Sequence, residues 1–246
     1  MKASPQTQLR LLELADLDAE LNRLAHRRQS LPEIAELARL EARAQDLKDS
    51  IVVADTALSD LEREQTRAER DVDQVRARID KDQARLDAGQ VSAAKELASL
   101  QSEIESLHKR QADLEEVVLE LMERQEGLES SRGELVTERD TIVAAQDVAG
   151  QTQGATFAVI DAAAAVASGK RTEAAADIPA DLLTLYDKIR ASSDVGAAML
   201  RRGRCEGCHL SLNTVDLNAM KATPPDEVIR CEECRRILVR TPDSGL

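Results

Sequence analysis

Hydrophobic residues recur at alternating spacings of three and four along most of the first 142 residues, which is the pattern of a coiled-coil seam. The longest series runs without a break from Leu37 to Leu86, over seven heptads. A shorter series, from Leu14 to Leu31, stops at Pro32, a residue that begins or kinks a helix. The pattern predicts a helical N-terminal segment, in which Pro32 either begins a new helix or kinks a continuous one, and then about fifty residues of helix, roughly 75 Å long.

A second heptad series extends from Leu97 to Ile142, after an interruption that contains Gly89. Glycine suits the left-handed residue that ends a helix, and Ser92 is a suitable N-cap for the helix that follows. Two long amphipathic helices joined by a short loop fold back on each other. The pattern therefore predicts an antiparallel hairpin with its tip near residues 87–92. Facing positions should then have residue numbers that sum to about 183.

Beyond Ile142 the pattern is weaker but still helical, and we expect the helix to continue to about residue 168 and break at Ser168–Lys170. A short helix is expected after Pro179, packing the base of the hairpin against the C-terminal region. Short strands are expected at 195–204, 228–230 and 237–239, with a helical turn at 217–220. We predict two domains, the hairpin at 1–175 and a short helix plus ribbon at 176–246.

The composition fits long helices rather than a broad globular core. Charged residues make up 32% of the chain, which has one Phe, one Tyr and no Trp. The longest apolar run, Ala162–Ala167, is too short to span a bilayer. Nothing at the N-terminus resembles a secretory signal. We therefore expect a cytoplasmic protein without a membrane partner.

The four cysteines of the chain form two C-x-x-C pairs separated by 22 residues: Cys205, Cys208, Cys231 and Cys234. This is the ligand spacing of a tetrathiolate zinc site. Two disulfides are disfavoured in a reducing cytoplasm, and no strand–helix context supports a redox dithiol. Four thiolates fill the zinc tetrahedron and leave no position for a catalytic water. The spacing predicts one structural zinc.

The net charge of −13 is unevenly distributed. Residues 201–246 hold eight Lys or Arg and seven Asp or Glu, so the other 200 residues carry −14. A protein that coats nucleic acid is usually basic, and the chain as a whole is not. The locally basic place surrounds the two cysteine pairs: Arg201, Arg202, Arg204, Arg235, Arg236 and Arg240. These residues either bind RNA or DNA phosphates, with a log–log salt slope of roughly −3 to −5, or form solvated surface paired with nearby glutamates.

The C-terminal motifs resemble those of a known family. They comprise Ile178-Pro179 with Leu182, Leu183, Tyr186 and Arg190, then Cys205-x-x-Cys208 with Leu212, and Val228-x-Arg230-Cys231-x-x-Cys234-x-Arg236-Ile237-Leu238. The chain resembles bacterial coiled-coil-hairpin proteins with a C-terminal C4-type zinc ribbon, especially actinobacterial members. The segment Lys95-Glu96-Leu97 is similar to the family's tip motif, although Ser92–Ala94 stands where an asparagine is often found. The resemblance implies that some members bind an alternative sigma factor or messenger RNA, and most are described only as candidate nucleic-acid-binding proteins.

Three functions remain open at this point. The first is a non-enzymatic adaptor whose hairpin binds a protein partner and whose ribbon contacts RNA, DNA or the transcription machinery. The second is a scaffolding coiled coil with a structural zinc and no nucleic-acid contact. An enzyme with a small-molecule substrate is disfavoured, because His26, His108 and His209 are scattered and no catalytic triad, phosphate-binding loop or dinucleotide motif is present.

Overall fold

The computed structural model describes residues 1–246 and divides into two compact units. One unit comprises Met1–Ala35 and Gly150–Leu246, and the other comprises Glu36–Ala149. The predicted division into a hairpin domain at 1–175 and a ribbon domain at 176–246 stays a prediction.

Five α-helices, four short strands and a 3-10 helix make up the chain. In order they are α1 (Pro5–Gln29), α2 (Pro32–Asp87), α3 (Ala94–Ala176), α4 (Ala180–Ser193), β1 (Ala197–Arg201), β2 (Arg204–Cys205), α5 (Thr214–Ala222), β3 (Ile229–Arg230), β4 (Ile237–Val239) and the 3-10 helix (Pro242–Ser244). The architecture is mainly α, a coiled-coil hairpin followed by a small C-terminal sheet, as the sequence pattern predicts.

The tip of the hairpin is built around Gly89, which has a φ of 61°. The Gly89 N–H donates to the Leu86 carbonyl and the Gln90 N–H donates to the Arg85 carbonyl, the paired bonds of a glycine-terminated helix end. The prediction that Ser92 is the N-cap of α3 is wrong. The first helical bond runs from the Leu97 N–H to the Ala93 carbonyl, so Ala93 is the capping residue of α3.

The seam of the hairpin unit is formed by the residues that the heptads place there. Val75 and Ile79 of α2 cluster with Leu100 and Ile104 of α3, and a second cluster contains Leu61, Ala68 and Leu121. Ion pairs cross the helices in the same register, Arg78 with Glu103 at 2.9 Å and Arg43 with Glu138 at 2.6 Å. Their residue numbers sum to 181, so the predicted antiparallel pairing is confirmed.

The predicted break at Ser168–Lys170 is wrong, because α3 continues through it to Ala176. A glycine such as Gly169 costs a helix only about 1 kcal/mol. Tertiary contacts outweigh that cost: Ile160 and Ala167 are 2% and 3% exposed, and Arg171 donates to Asp18 of α1 at 2.7 Å.

The core of the other unit lies where α1, the end of α3, α4 and the sheet meet, which confirms the expected packing. Buried members from the helices and strands are Leu11, Leu14, Ala174, Leu182, Tyr186, Ile189, Ala197, Ile237 and Val239. The sheet order is β2-β1-β4-β3, with β1 and β4 parallel and both outer pairs antiparallel. Leu238 alternates to the opposite face and joins a second core with Leu200, Cys205 and Cys231.

Candidate metal centre and nucleic-acid interface

The two cysteine pairs form knuckles of matching backbone geometry, one at 205–208 and one at 231–234. In each, the N–H of the first cysteine donates to the carbonyl five residues later, Leu210 or Arg236. The N–H of the residue after the second cysteine, His209 or Arg235, donates back to the first cysteine's carbonyl, at 2.8 and 3.0 Å. His209 and Arg235 have φ values of 59° and 62°. Each knuckle thus ends at a residue with left-handed backbone conformation, and both of its sulfurs point to the same side.

The four sulfur atoms converge on one point and fit a zinc ion. All four lie within 4.8 Å of one another, with Cys205 Sγ and Cys234 Sγ 3.8 Å apart and Cys208 Sγ and Cys231 Sγ 3.9 Å apart. A zinc ion with Zn–S bonds of about 2.3 Å requires sulfur separations of about 3.8 Å in a regular tetrahedron. His209 is not a member of the cluster.

The surroundings of two of the sulfurs favour the neutral thiol unless a cation is bound. Cys205 and Cys231 are fully buried, whereas Cys208 and Cys234 are half-buried. Burial raises the pKa of the Cys205 thiol to about 12 and also raises the pKa of the Cys231 thiol. Thiolates this close repel one another unless a divalent ion compensates their charge. Gly207 permits the close approach of the first knuckle, because a Cβ there would lie 2.8 Å from Ala198 Cβ and from Arg236 Cδ.

Two of the six candidate arginines are engaged inside the protein. Arg236 donates to the backbone carbonyls of Gly207 at 2.9 Å and Val195 at 3.2 Å, and also to that of Ser193. Arg240 donates to the carbonyls of Thr223, Pro224 and Glu227 at 2.7, 2.8 and 2.6 Å. Arg236 ties the first knuckle to the end of α4, and Arg240 holds the loop after α5. Their guanidinium groups have few donors left for phosphate.

Replacing Arg236 with alanine is expected to destabilise the ribbon by about 3 kcal/mol, because three half-buried carbonyls would lose a charged donor. The temperature at which zinc becomes reactive to a colorimetric chelator measures this effect. Arg201→Ala, which removes an exposed arginine of the same ribbon, is the control and should leave that temperature unchanged. Equal values for the two variants would contradict the structural role of Arg236.

Three other arginines are brought together on the turn between β1 and β2. Arg201 and Arg204 face each other across the strand pair, and Arg202 and Gly203, with φ values of 48° and 72°, make the tight two-residue turn. All three arginine side chains are exposed, and none of them forms an ion pair within 4.0 Å. Arg235 lies in the second knuckle, outside this turn, and contacts Glu232 at 3.7 Å. Only three of the six arginines therefore share one turn.

Two family models match the chain. The CT398-like coiled coil hairpin domain matches residues 14–194, and the C4-type zinc ribbon domain matches residues 204–238. The chain belongs to this hairpin-and-ribbon family. The matched ribbon contains all four cysteines, and with their geometry it establishes one structural zinc in the protein.

Relatives cover nearly the whole length of the chain. An uncharacterized protein of Mycobacterium tuberculosis H37Rv is 37% identical over 240 residues, 98% of both chains. A structure from Mycobacterium smegmatis aligns with a TM-score of 0.86 and 34% identity, over 98% of this chain and 100% of that one. The structure of CT398 from Chlamydia trachomatis, at 20% identity and a TM-score of 0.74 over 96% and 98% of the two chains, shows the same fold. None of the helices combines the length and the apolar character needed to cross a membrane.

Proposed function

We propose that the protein is a non-enzymatic cytoplasmic adaptor whose ribbon binds the phosphates of RNA or DNA and whose hairpin binds a protein partner. Cys205, Cys208, Cys231 and Cys234 are the zinc ligands in this proposal. The matched families, a coiled-coil hairpin and a zinc ribbon, support an adaptor-like role.

The observation that carries the nucleic-acid part is the turn bearing Arg201, Arg202 and Arg204. Twelve of the eighteen arginines on the helices form ion pairs with carboxylates, as Arg78 does with Glu103, and no helix places three unpaired arginines within four residues as this turn does. The three turn arginines are exposed and form none, although the chain carries a net charge of −13. Three adjacent unpaired guanidinium groups repel one another, and an anion that binds all three relieves that repulsion.

The turn is held rigidly from two sides, so it is organised before phosphate arrives. The Arg202 N–H donates to the Asp243 carbonyl at 2.8 Å and the Gly203 N–H donates to the Ser244 carbonyl at 3.0 Å. On the other side, β2 runs directly into Cys205 and the zinc site. Zinc therefore contributes to binding by fixing the strand that carries Arg204, and takes no part in chemistry.

Sequence preference should be weak. Tyr186 is fully buried, and the ring of Phe157 lies 4.3 Å from the Arg28 guanidinium carbon. Neither aromatic side chain offers a platform for stacking bases. Phosphate contacts position a protein on nucleic acid without reading its sequence.

A triple variant, Arg201→Ala with Arg202→Ala and Arg204→Ala, tests the ribbon's part in this proposal. Loss of three phosphate contacts should weaken binding of a fluorescein-labelled 20-nucleotide RNA about 100-fold at 0.1 M KCl, measured by fluorescence anisotropy. The matched control removes the same charge from exposed helical arginines that form no ion pair: Arg67→Ala, Arg70→Ala and Arg110→Ala.

A control variant that loses as much affinity as the ribbon variant would show that only net charge matters, and would contradict the proposal. The scaffolding alternative is favoured by one observation, the engagement of Arg236 and Arg240 with backbone carbonyls. It predicts that the wild-type protein binds no RNA or DNA at low salt.

A further inference from the structure

One flank of the hairpin carries a groove with an apolar floor and an acidic rim. Near the middle of the hairpin it is lined by Val72, Val118 and Leu119, with charged residues Glu69, Asp73, Arg76 and Glu115 around them. Leu119 is 61% exposed, and Met122, three residues further along the same helix face, is 41% exposed. Beside the apolar floor and its charged rim, these two side chains extend the apolar surface against which a partner helix could pack.

The groove recurs two heptads away. A second groove is lined by Asp55, Leu58, Ser59, Glu62, Glu129 and Arg132. Adding 14 to the α2 residue numbers and subtracting 14 from the α3 numbers gives residues of the first groove, so that Leu58 corresponds to Val72 and Glu129 to Glu115. Residues 14 apart lie on one flank of a coiled coil, so the two grooves are parts of one surface, here called the acidic flank. Its length of two heptads is about 21 Å.

The charge of the acidic flank is only partly compensated within the chain. Arg76 pairs with Glu115 at 2.6 Å, and Arg132 pairs with Asp55. The four remaining carboxylates of the two grooves form no ion pair within 4.0 Å: Glu62, Glu69, Asp73 and Glu129. The hairpin unit as a whole, Glu36–Ala149, has 28 acidic and 16 basic residues, a net charge of −12.

We infer that the acidic flank is the docking site for a basic amphipathic helix of a protein partner. Such a helix would place apolar residues seven apart against Leu58, against Met122, and against the groove floor of Val72, Val118 and Leu119. Its Lys and Arg side chains would pair with the four unpaired carboxylates. A second copy of this chain would oppose like charges, as would a nucleic acid. The inference rests on the proposed adaptor role of the hairpin and defines the chemistry of its partner.

A synthetic 21-residue peptide tests the inference. It has leucine at heptad positions a and d and lysine or arginine at the flanking positions, and a twin peptide carries glutamate in place of the basic residues. Wild-type protein should bind the fluorescein-labelled basic peptide and not its acidic twin. Glu62→Lys with Glu69→Lys should weaken binding about tenfold at low salt. Leu119→Ser with Met122→Ser should weaken it about tenfold even at 0.5 M KCl, where charge effects are screened.

The matched control changes the opposite flank. Glu64→Lys with Asp71→Lys makes the same charge change at the same seven-residue spacing, on the flank where Glu64 lies beside Ala57 and Gly127. Binding by this control should stay within about twofold of wild type. An equal loss in the two charge variants, or no binding of the basic peptide by wild type, would overturn the inference. Either result leaves the RNA titration of the ribbon variants unaffected, so the two proposals fail separately.

Discussion

Replacing Cys208 with serine is expected to unfold the ribbon while the hairpin unit stays helical. A structural zinc contributes roughly 10–16 kcal/mol of apparent binding energy, which exceeds what the small apolar core around Leu200, Met220 and Leu238 can supply. The seam clusters of the hairpin unit contain no ribbon residue. Zinc content by elemental analysis should fall from one ion per chain to none. Trypsin should then cleave the ribbon rapidly, while the far-ultraviolet circular dichroism changes little.

The control for this variant is His209→Asn. His209 follows Cys208 directly but is outside the sulfur cluster, and asparagine tolerates its left-handed backbone. That variant should keep its zinc and its resistance to trypsin. Retention of zinc and of protease resistance by the Cys208→Ser protein would contradict the tetrathiolate site.

Replacing Asp18 with alanine is expected to lower the free energy of unfolding by about 3–5 kcal/mol. The Asp18 carboxylate is fully buried and accepts hydrogen bonds from Tyr186 Oη and Arg171 Nε, both at 2.7 Å, and it contacts Arg190 Nε at 3.0 Å. Burial, followed by the bond to Asp18, raises the pKa of Tyr186 well above its usual value of 10, so the phenol stays a donor. Removing the carboxylate would leave the buried Tyr186 hydroxyl and the Arg190 guanidinium without this acceptor, while Arg171 would keep only its contact with Asp187 at 2.7 Å.

Urea unfolding followed by tyrosine fluorescence measures this effect directly, because Tyr186 is the only tyrosine and the chain has no tryptophan. Asp16→Ala, on the exposed face of the same helix, is the control and should change the free energy of unfolding by less than about 0.5 kcal/mol. Equal urea midpoints for the two variants would show that the Asp18 network is not stabilising.

Features that depend on short stretches of sequence could be predicted from it. The heptads between Leu37 and Leu86 fix which helix face is buried, and Gly89 marks the tip because one residue must adopt a positive φ. The zinc site was equally predictable. The spacing within each cysteine pair determines whether both sulfurs can reach one ion, and the four cysteines are the only ones present.

Features that depend on contacts between distant residues could not be predicted. The end of α3 was misplaced because Arg171 is held by Asp18, 153 residues earlier in the chain. Arg236 and Arg240 looked like the other ribbon arginines, since charge counting does not show that their donors are taken by backbone carbonyls. The Asp18–Tyr186 bond joins residues 168 apart, and its only signal in the sequence is a lone tyrosine on the apolar face of α4.

The salt dependence of RNA binding by the wild-type protein tests the adaptor proposal most directly. The sequence alone predicted a slope of roughly −3 to −5, but of the six arginines the structure leaves only Arg201, Arg202, Arg204 and Arg235 with exposed side chains. Three or four contacts on a single strand predict a log–log slope of roughly −2 to −3. A slope in that range would support phosphate binding by the ribbon. No detectable binding at low salt, or affinity that is independent of salt, would contradict it.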